Sequence, residues 1–332
     1  MDFLVANVLG TPLWLWAAFI GIVMLLLAFD LGVLHRDPHE IGVGESLMLS
    51  AFYIAIGLAF GGWVWYLRGH EDAVLYWTGF VVEKSLAMDN VFVIAMIFAY
   101  FGIPRAYQHR VLLYGILGVI VLRGIMIAAG ATIVDQYSWI LYIFAAFLIF
   151  TGIKMLSAGH GDYDVASSPL LKFVRKHMRV TNNLHGQRFF VREPDSKTGK
   201  IVTAATPLFL ALVMVEFADV IFAVDSIPAI FAITTDPFLV YTSNLFAILG
   251  LRALYFALAA MVHRFIYLKH ALSLVLIFIG SKIFLADMLG LAKVPPAISL
   301  SVTLLLLAGG IIYSLIKTRA EKPGAEKVQP LG

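Results

Sequence analysis

The sequence contains no cysteine. This absence excludes disulfide bonds, thiolate metal sites and a cysteine nucleophile. Charged residues are also scarce, since they make up 14% of the chain whereas hydrophobic residues make up 61%. Soluble domains carry about 25% charged residues, so the composition predicts a polytopic membrane protein with the lipid bilayer as its first partner. The net charge of +3 is small, and we expect no nucleic acid as a partner.

Histidine is missing from the middle of the apolar runs, because all nine histidines lie in loops or near the ends of these runs. Soft and borderline metals therefore lack their usual ligands inside the membrane. The runs also contain neither His-Glu-x-x-His nor Gly-x-Ser-x-Gly, so an enzyme is the least favoured class. We expect no tightly bound cofactor.

The long apolar runs predict an all-α fold with about nine transmembrane helices, each of about 20 residues, in a single membrane domain over residues 1–332. The predicted spans are roughly 13–34, 45–67, 74–100, 110–132, 138–156, 205–232, 241–262, 271–290 and 297–316. The first run is long and lacks a basic leader, so we interpret it as a retained span. A long loop at 157–203 and a polar tail at 317–332, expected to be disordered, remain outside the spans.

Lysine and arginine set the predicted orientation. Of the 24 such residues, only Arg68 and Lys293 lie in the even-numbered loops, and most lie in the odd-numbered loops and the tail. We therefore predict an outside N-terminus and a cytoplasmic C-terminus. The loop at 157–203 is then cytoplasmic. Within it, residues 168–178 predict an amphipathic helix at the membrane interface, and segments 189–191 and 201–203 predict a hairpin.

The chain contains an internal repeat of three spans. The matched segments are 83–90 with 219–226, 122–124 with 251–253, and 148–154 with 276–282. Spans 3–5 (74–156) and spans 6–8 (205–290) thus follow the same order, after two N-terminal spans (13–67) and before a last span (297–316). Because three is odd, the second copy starts from the opposite face, which predicts a 3+3 inverted-topology repeat. Secondary transporters with this construction bind substrate near the middle of the membrane.

Acidic side chains inside the predicted spans indicate a site for a cation. Each carboxylate at a bilayer centre costs about 2.5–3.5 kcal/mol, so intramembrane acids are functional by default. The predicted metal ligands are Glu83, Asp89, Glu216, Asp219 and Asp225. The residues predicted to surround or gate them are Asp30, Lys84, Asn90, Arg123, Ser226, Asn244, Arg252 and Lys282. For Asp30, a plain position at a helix end is an equal alternative.

Helical geometry limits how these acids can converge. A helix turns by about 100° per residue, so a straight span would point Asp225 away from Asp219. Pro228 frees a backbone carbonyl and would let the span bend or unwind beside Asp225. The competing interpretation is that the acids form buried salt bridges with Arg123 and Arg252 and bind nothing. Lys154 is expected to extend its charge towards the interface.

Oxygen ligands from carboxylates, carbonyls and amides suit Mg²⁺, Ca²⁺ or Mn²⁺. Met88 and Met214 lie close by in the sequence and would favour Mn²⁺ over Ca²⁺, although methionine in a span usually serves packing. Export of a divalent cation from a cell that is negative inside costs about 4.6 kcal/mol per 100 mV. We therefore expect coupling to protons.

The segments 83–90, 219–228 and 242–252 resemble the TerC family, and the similarity to its Alx-like branch extends over nearly the whole chain. The resemblance implies a manganese exporter of the bacterial inner membrane, with Mn²⁺ as the transported ion, in a branch associated with alkaline-pH response. It also implies that the family's acidic site residues fall on the five acids above. Two alternatives stay open: export of another divalent cation such as Ca²⁺, and a non-transporting scaffold of a metal or tellurite stress-response complex or an assistant to metal loading of exported proteins.

Overall fold

The computed structural model is mostly helical and describes residues 6–32, 42–157, 165, 168–181, 183–194, 201–259, 268–289 and 294–320. Its helices are α1 (Leu13–Gly32), α2 (Val43–Arg68), α3 (His70–Tyr100), α4 (Arg105–Gln136), α5 (Ile140–Ser157), α6 (Pro169–His177), α7 (Pro207–Phe231), α8 (Pro237–Leu249), α9 (Leu251–Ala259), α10 (Leu268–Met288) and α11 (Pro296–Ala320). Two small antiparallel sheets pair β1 (Asn7–Val8) with β2 (Thr11–Pro12) and β3 (Phe190–Pro194) with β4 (Ile201–Ala205).

Six of the described helices are long and apolar enough to cross a membrane. They are α2, α4, α5, α7, and the parts of α10 and α11 at Lys269–Ala286 and Pro296–Thr318. The central helix α3 has 31 residues, but it carries Glu83, Lys84 and Asp89 near its middle and is not among the six. The nine spans expected from the sequence therefore stay a prediction.

Helix α3 lies at the centre of the bundle, where it packs against α2, α7, α8, α9 and α11. Apolar side chains along its length, such as Tyr76, Val82, Val91, Ile94 and Phe98, are almost fully buried. A helix with apolar residues on all sides is expected in such a position. The acidic residue Glu83, in the middle of α3, is therefore surrounded by protein and not by lipid.

Helices α5 and α10 meet at a close crossing that contains one glycine from each. A Cβ atom at Gly152 would lie 2.8 Å from the carbonyl oxygen of Ser273, and one at Gly280 would lie 2.6 Å from that of Ala145. Backbone therefore approaches backbone at two points, as small residues permit in membrane helices. We call this contact the glycine crossing.

We expect Gly152→Val to destabilise the protein by about 1–3 kcal/mol, the usual cost of overpacking. The added side chain would overlap the α10 backbone, which has no rotamer to change. Gly62→Val is the matched control, because a Cβ at Gly62 meets nothing within 4 Å. Thermal unfolding in detergent measures both variants. Equal midpoints for the two would contradict the backbone contact.

The predicted cytoplasmic loop contains the expected elements. Helix α6 and the β3–β4 hairpin confirm the helix predicted within 168–178 and the hairpin predicted from segments 189–191 and 201–203. The position of this helix at the membrane interface stays a prediction. The apolar face of α6 does not face lipid, since Leu171 and Val174 belong to the same buried cluster as residues of α7. Thr206 ties the hairpin to α7: its hydroxyl donates to the Arg188 carbonyl at 2.7 Å and accepts from the amide of Phe209.

Three sequence expectations differ from the structure. The span expected at 241–262 is two helices, α8 and α9, which meet at Gly250, and α8 begins earlier, at Pro237. Helix α7 is not unwound at Pro228, because it runs on to Phe231. Helix α11 continues to Ala320, into part of the expected tail.

Candidate functional site

Arg123 of α4 is the centre of a buried polar cluster. Its Nη1 atom lies 2.5 Å from Glu83 Oε1 of α3, 3.0 Å from Ser226 Oγ of α7 and 2.8 Å from Asn244 Oδ1 of α8. Arg123 is 2% exposed, and its three partners are no more exposed than that. We call these four residues the Arg123 cluster. One guanidinium group thus connects four helices and compensates the charge of Glu83.

Several polar atoms at the cluster have no hydrogen-bond partner among the described residues. They are Glu83 Oε2, Arg123 Nε, Asn244 Nδ2 and, on α7, Glu216 Oε2. A buried polar atom without a partner costs about 1–3 kcal/mol. Buried carboxylate oxygens of this kind accept a proton donor or ligate a cation, and the two here are hard ligands that suit Mg²⁺, Ca²⁺ or Mn²⁺.

Asp219 of α7 lies beside the Arg123 cluster. It is 8% exposed and interacts electrostatically with both Arg123 and Glu83. Asp219 also lines a cavity of about 20 Å³, together with apolar residues that include Leu112 and Ile248. A cavity of this size holds about one water molecule. Asp219 therefore stands between the buried ion pair and a small space.

Glu216 lies one helical turn before Asp219 and interacts with it electrostatically. Its carboxylate lies against Gly118 of α4, where a Cβ atom would overlap both carboxylate oxygens. Sequence reasoning missed Gly118. The sequence does contain an indication of this contact, because Gly115 and Gly118 are two small residues on one predicted span, and small residues on membrane helices permit close packing.

Lys84 of α3 contacts the C-terminal end of α8. Its Nζ atom donates to the carbonyl of Ala247 at 3.0 Å, in the last turn of α8. The carbonyls there lose their helical partners because α8 ends at Leu249, and a cation near a helix C-terminus is stabilising. A Cβ at Gly250 would lie 2.9 Å from this nitrogen. Gly250, between α8 and α9, therefore leaves room for the Lys84 side chain of α3, which caps the end of α8.

Asp225 is not part of the Arg123 cluster. It is half-buried, and the charge that acts on it is Lys154 of α5. Lys154 itself is exposed. Within the described part of the chain, no three histidine, aspartate or glutamate side chains lie close enough together to hold a metal ion. Of the predicted metal ligands whose side chains are described, Glu83, Asp219 and Glu216 thus lie in one region and Asp225 lies apart from them.

The remaining predicted site residues include two that are buried and three whose side chains are not described. Asn90 is 4% exposed and Lys282 is 8% exposed. The side chains of Asp30, Asp89 and Arg252 lie outside the described residues, so their predicted roles are untested.

Two larger cavities lie at opposite ends of the bundle. One, of about 300 Å³, is lined by Thr78 near the start of α3, by Phe231 at the end of α7, and by Lys282. The other, of about 260 Å³, is lined by the end of α3, the start of α4, and α9. Along both α3 and α7, the Glu83–Asp219 region falls between these ends.

Comparison with known proteins gives a consistent result. Residues 68–322 match the family described as integral membrane protein TerC family. An uncharacterized membrane protein of Rickettsia bellii is 46% identical over 91% of this chain and 97% of its own length. A putative membrane-bound redox modulator named Alx is 46% identical in Escherichia coli, over 95% of this chain and 98% of its own, and 48% identical in Salmonella typhi, over 89% and 92%.

No solved structure is significantly similar to this chain. The family match covers well over half of the sequence, and the relatives named Alx align along nearly their whole length. The chain therefore belongs to the TerC family of integral membrane proteins, in the branch that includes Alx.

Proposed function

We propose that this protein is a secondary transporter that exports Mn²⁺ from the cytosol in exchange for protons. The observation that carries the proposal is the position of Asp219. It lies next to a buried Glu83–Arg123 pair and one turn from Glu216. Secondary transporters bind their substrate and coupling ions near the middle of the membrane.

The charges divide the acids into two roles. Glu83 is compensated by Arg123, whereas Glu216 and Asp219 have no basic partner within salt-bridge distance in the described residues. We propose that Glu216 and Asp219 hold the cation when both are ionised and hold a proton each when it has left. Two carboxylates match the charge of one divalent ion, so the exchange would move no net charge. This removes the cost of about 2.3 kcal/mol per charge per 100 mV.

The architecture that we propose is the nine-span one, with the N-terminus outside, the C-terminus in the cytoplasm of a bacterial inner membrane, and an inverted 3+3 repeat. The glycine crossing supports the repeat. Gly152 and Gly280 are matched positions, and so are the residues they contact, Ala145 and Ser273. Gly152 approaches Ser273, and its counterpart Gly280 approaches Ala145, the counterpart of Ser273. Two copies related by a two-fold axis would make this pair of contacts. Similarly, α3 packs against α8 as α4 packs against α7.

The relatives' description as putative redox modulators bears on this chain only indirectly. Thiol chemistry needs cysteine, and the sequence has none. If this chain influences redox state, we propose that it does so through the ion that it moves.

Flux measurements on the purified protein in liposomes test the proposal. We expect the inserted protein to move Mn²⁺ down its concentration gradient and protons in the opposite direction. We expect a weaker flux of Ca²⁺ or Mg²⁺. Liposomes without protein are the control for leakage. A Ca²⁺ flux that exceeds Mn²⁺ flux would favour the other-cation alternative. No flux of any divalent ion, from protein that is folded and correctly inserted, would favour the scaffold.

A further inference from the structure

Three helices each contribute to two neighbouring cavities through residues four positions apart. Ile94 of α3, Leu112 of α4 and Leu251 of α9 line the small cavity at Asp219. One turn further along the same helices, Phe98, Gln108 and Tyr255 line the cavity of about 260 Å³ at the end of the bundle. Residues four apart share a helix face and lie about one turn, or 5.4 Å, from each other. The two cavities are therefore stacked along one axis.

A pair of aromatic rings lines the wider cavity, one helical turn from the residues that line the small one. Phe98 and Tyr255 pack edge to face with their ring centroids 5.6 Å apart. The Tyr255 hydroxyl donates to Gln108 Oε1 at 3.0 Å, and Gln108 Nε2 donates to the carbonyl of Ile103 at 2.9 Å. All three side chains are buried. The tyrosine ring is thus held by one hydrogen bond to Gln108, which a rotation of the tyrosine side chain would break, and Gln108 is itself held by Ile103.

The wider cavity does not suit a divalent cation. Arg105 lines it, and Arg105 is also the first residue of α4, whose N-terminal end carries a partial positive charge. These charges repel a divalent ion more strongly than a proton, and they do not repel water.

We propose that the stacked cavities form a water route from the aqueous phase at the α6 end of the bundle to the small cavity at Asp219, and that the Phe98–Tyr255 ring pair is its gate. The role in transport rests on the proposed function above, whereas the existence of the route does not. Water in the wider cavity reaches the small one when the rings part. The charged groups that face Asp219 in the described residues are Glu83, Arg123 and Glu216.

Single cysteines can test the route without background, because the chain has no cysteine of its own. The variants are Leu112→Cys for the small cavity, Ala99→Cys for the wider one, and Val121→Cys, a control on the exposed, lipid-facing side of α4. Charged, membrane-impermeant methanethiosulfonate reagents are added to either side of oriented vesicles. We expect Ala99→Cys to react rapidly from the α6 side, Leu112→Cys to react slowly from that side, and Val121→Cys to stay unlabelled.

The gate is tested by a second change in the Leu112→Cys background. Tyr255→Ala should speed the labelling about tenfold, the factor that corresponds to about 1.4 kcal/mol of lost ring contact. Tyr255→Phe keeps the ring but removes the bond to Gln108, and its labelling rate should lie between the two. Labelling only from the opposite side, or a rate that matches Val121→Cys in every background, would overturn the route.

Charge selectivity is tested at Ala99→Cys. After each rate is divided by that for a free thiol in solution, an anionic reagent should react faster than a cationic one of similar size, and Arg105→Gln should reduce the difference. An unchanged preference would overturn the proposed exclusion of cations. These outcomes separate the two proposals: normal labelling without Mn²⁺ flux contradicts the exporter, and Mn²⁺ flux without labelling contradicts the route.

Discussion

Asp219→Asn should abolish Mn²⁺ transport and leave the amount of folded protein in the membrane unchanged. The asparagine side chain has nearly the same volume, but it cannot ionise, so it neither balances the charge of a cation nor carries a proton. Folding should tolerate the change, because asparagine removes the cost of burying a charge and the repulsion from Glu83 and Glu216, which offsets the lost attraction to Arg123. The measurement is Mn²⁺ flux into liposomes, normalised to inserted protein.

Asp135→Asn is the matched control. Asp135 lies in the exposed last turn of α4, so the same chemical change there should leave the flux as it is. Normal flux in Asp219→Asn would remove this residue from the transport path. Loss of flux in both variants would indicate a general effect of charge and not an ion site.

Arg123→Ala should cost about 3–5 kcal/mol of stability, the usual result when one partner of a buried ion pair is removed. The substitution leaves Glu83 as a buried charge without compensation and deprives Ser226 and Asn244 of their shared donor. Because the cluster joins α3, α4, α7 and α8, we expect both folding and transport to fail. Thermal unfolding and the yield of monodisperse protein in detergent measure the first effect.

A double variant separates charge from packing. Glu83→Gln together with Arg123→Ala removes both charges and should recover part of the stability lost in Arg123→Ala alone. Arg175→Ala, on the exposed side of α6, is the control for loss of an arginine and should behave as the unmodified protein. If the double variant is no more stable than Arg123→Ala, the charge of Glu83 is not what destabilises the single variant.

Hydropathy was sufficient to predict most helices of this fold. The expected spans at 45–67 and 138–156 correspond to α2 and α5 within two residues at each end, since a membrane helix is defined by the length of its apolar run. The same signal failed at Gly250. A single glycine in an apolar run does not reveal a break, and this break depends on Lys84, which approaches from α3 to cap the end of α8.

The candidate site could be predicted in part. The sequence identified Glu83, Asp219 and Arg123 because charged residues are conspicuous in apolar spans. It could not assign Arg123 to Glu83, because the two lie 40 positions apart and only the packing of α3 against its neighbours brings them together. It also placed Asp225 with Asp219, whereas the helix remains regular at Pro228 and directs the two acids to different surroundings.

The glycine crossing also determines how the sequence can change over time. Where two main chains touch, no side chain can enlarge without forcing the helices apart, so positions 152 and 280 are closed to drift. The outward flanks of the same helices, with Ile143, Phe150 and Leu274 exposed, are free to exchange one apolar residue for another. Divergence on this pair of helices is therefore confined to the sides that face away from the crossing.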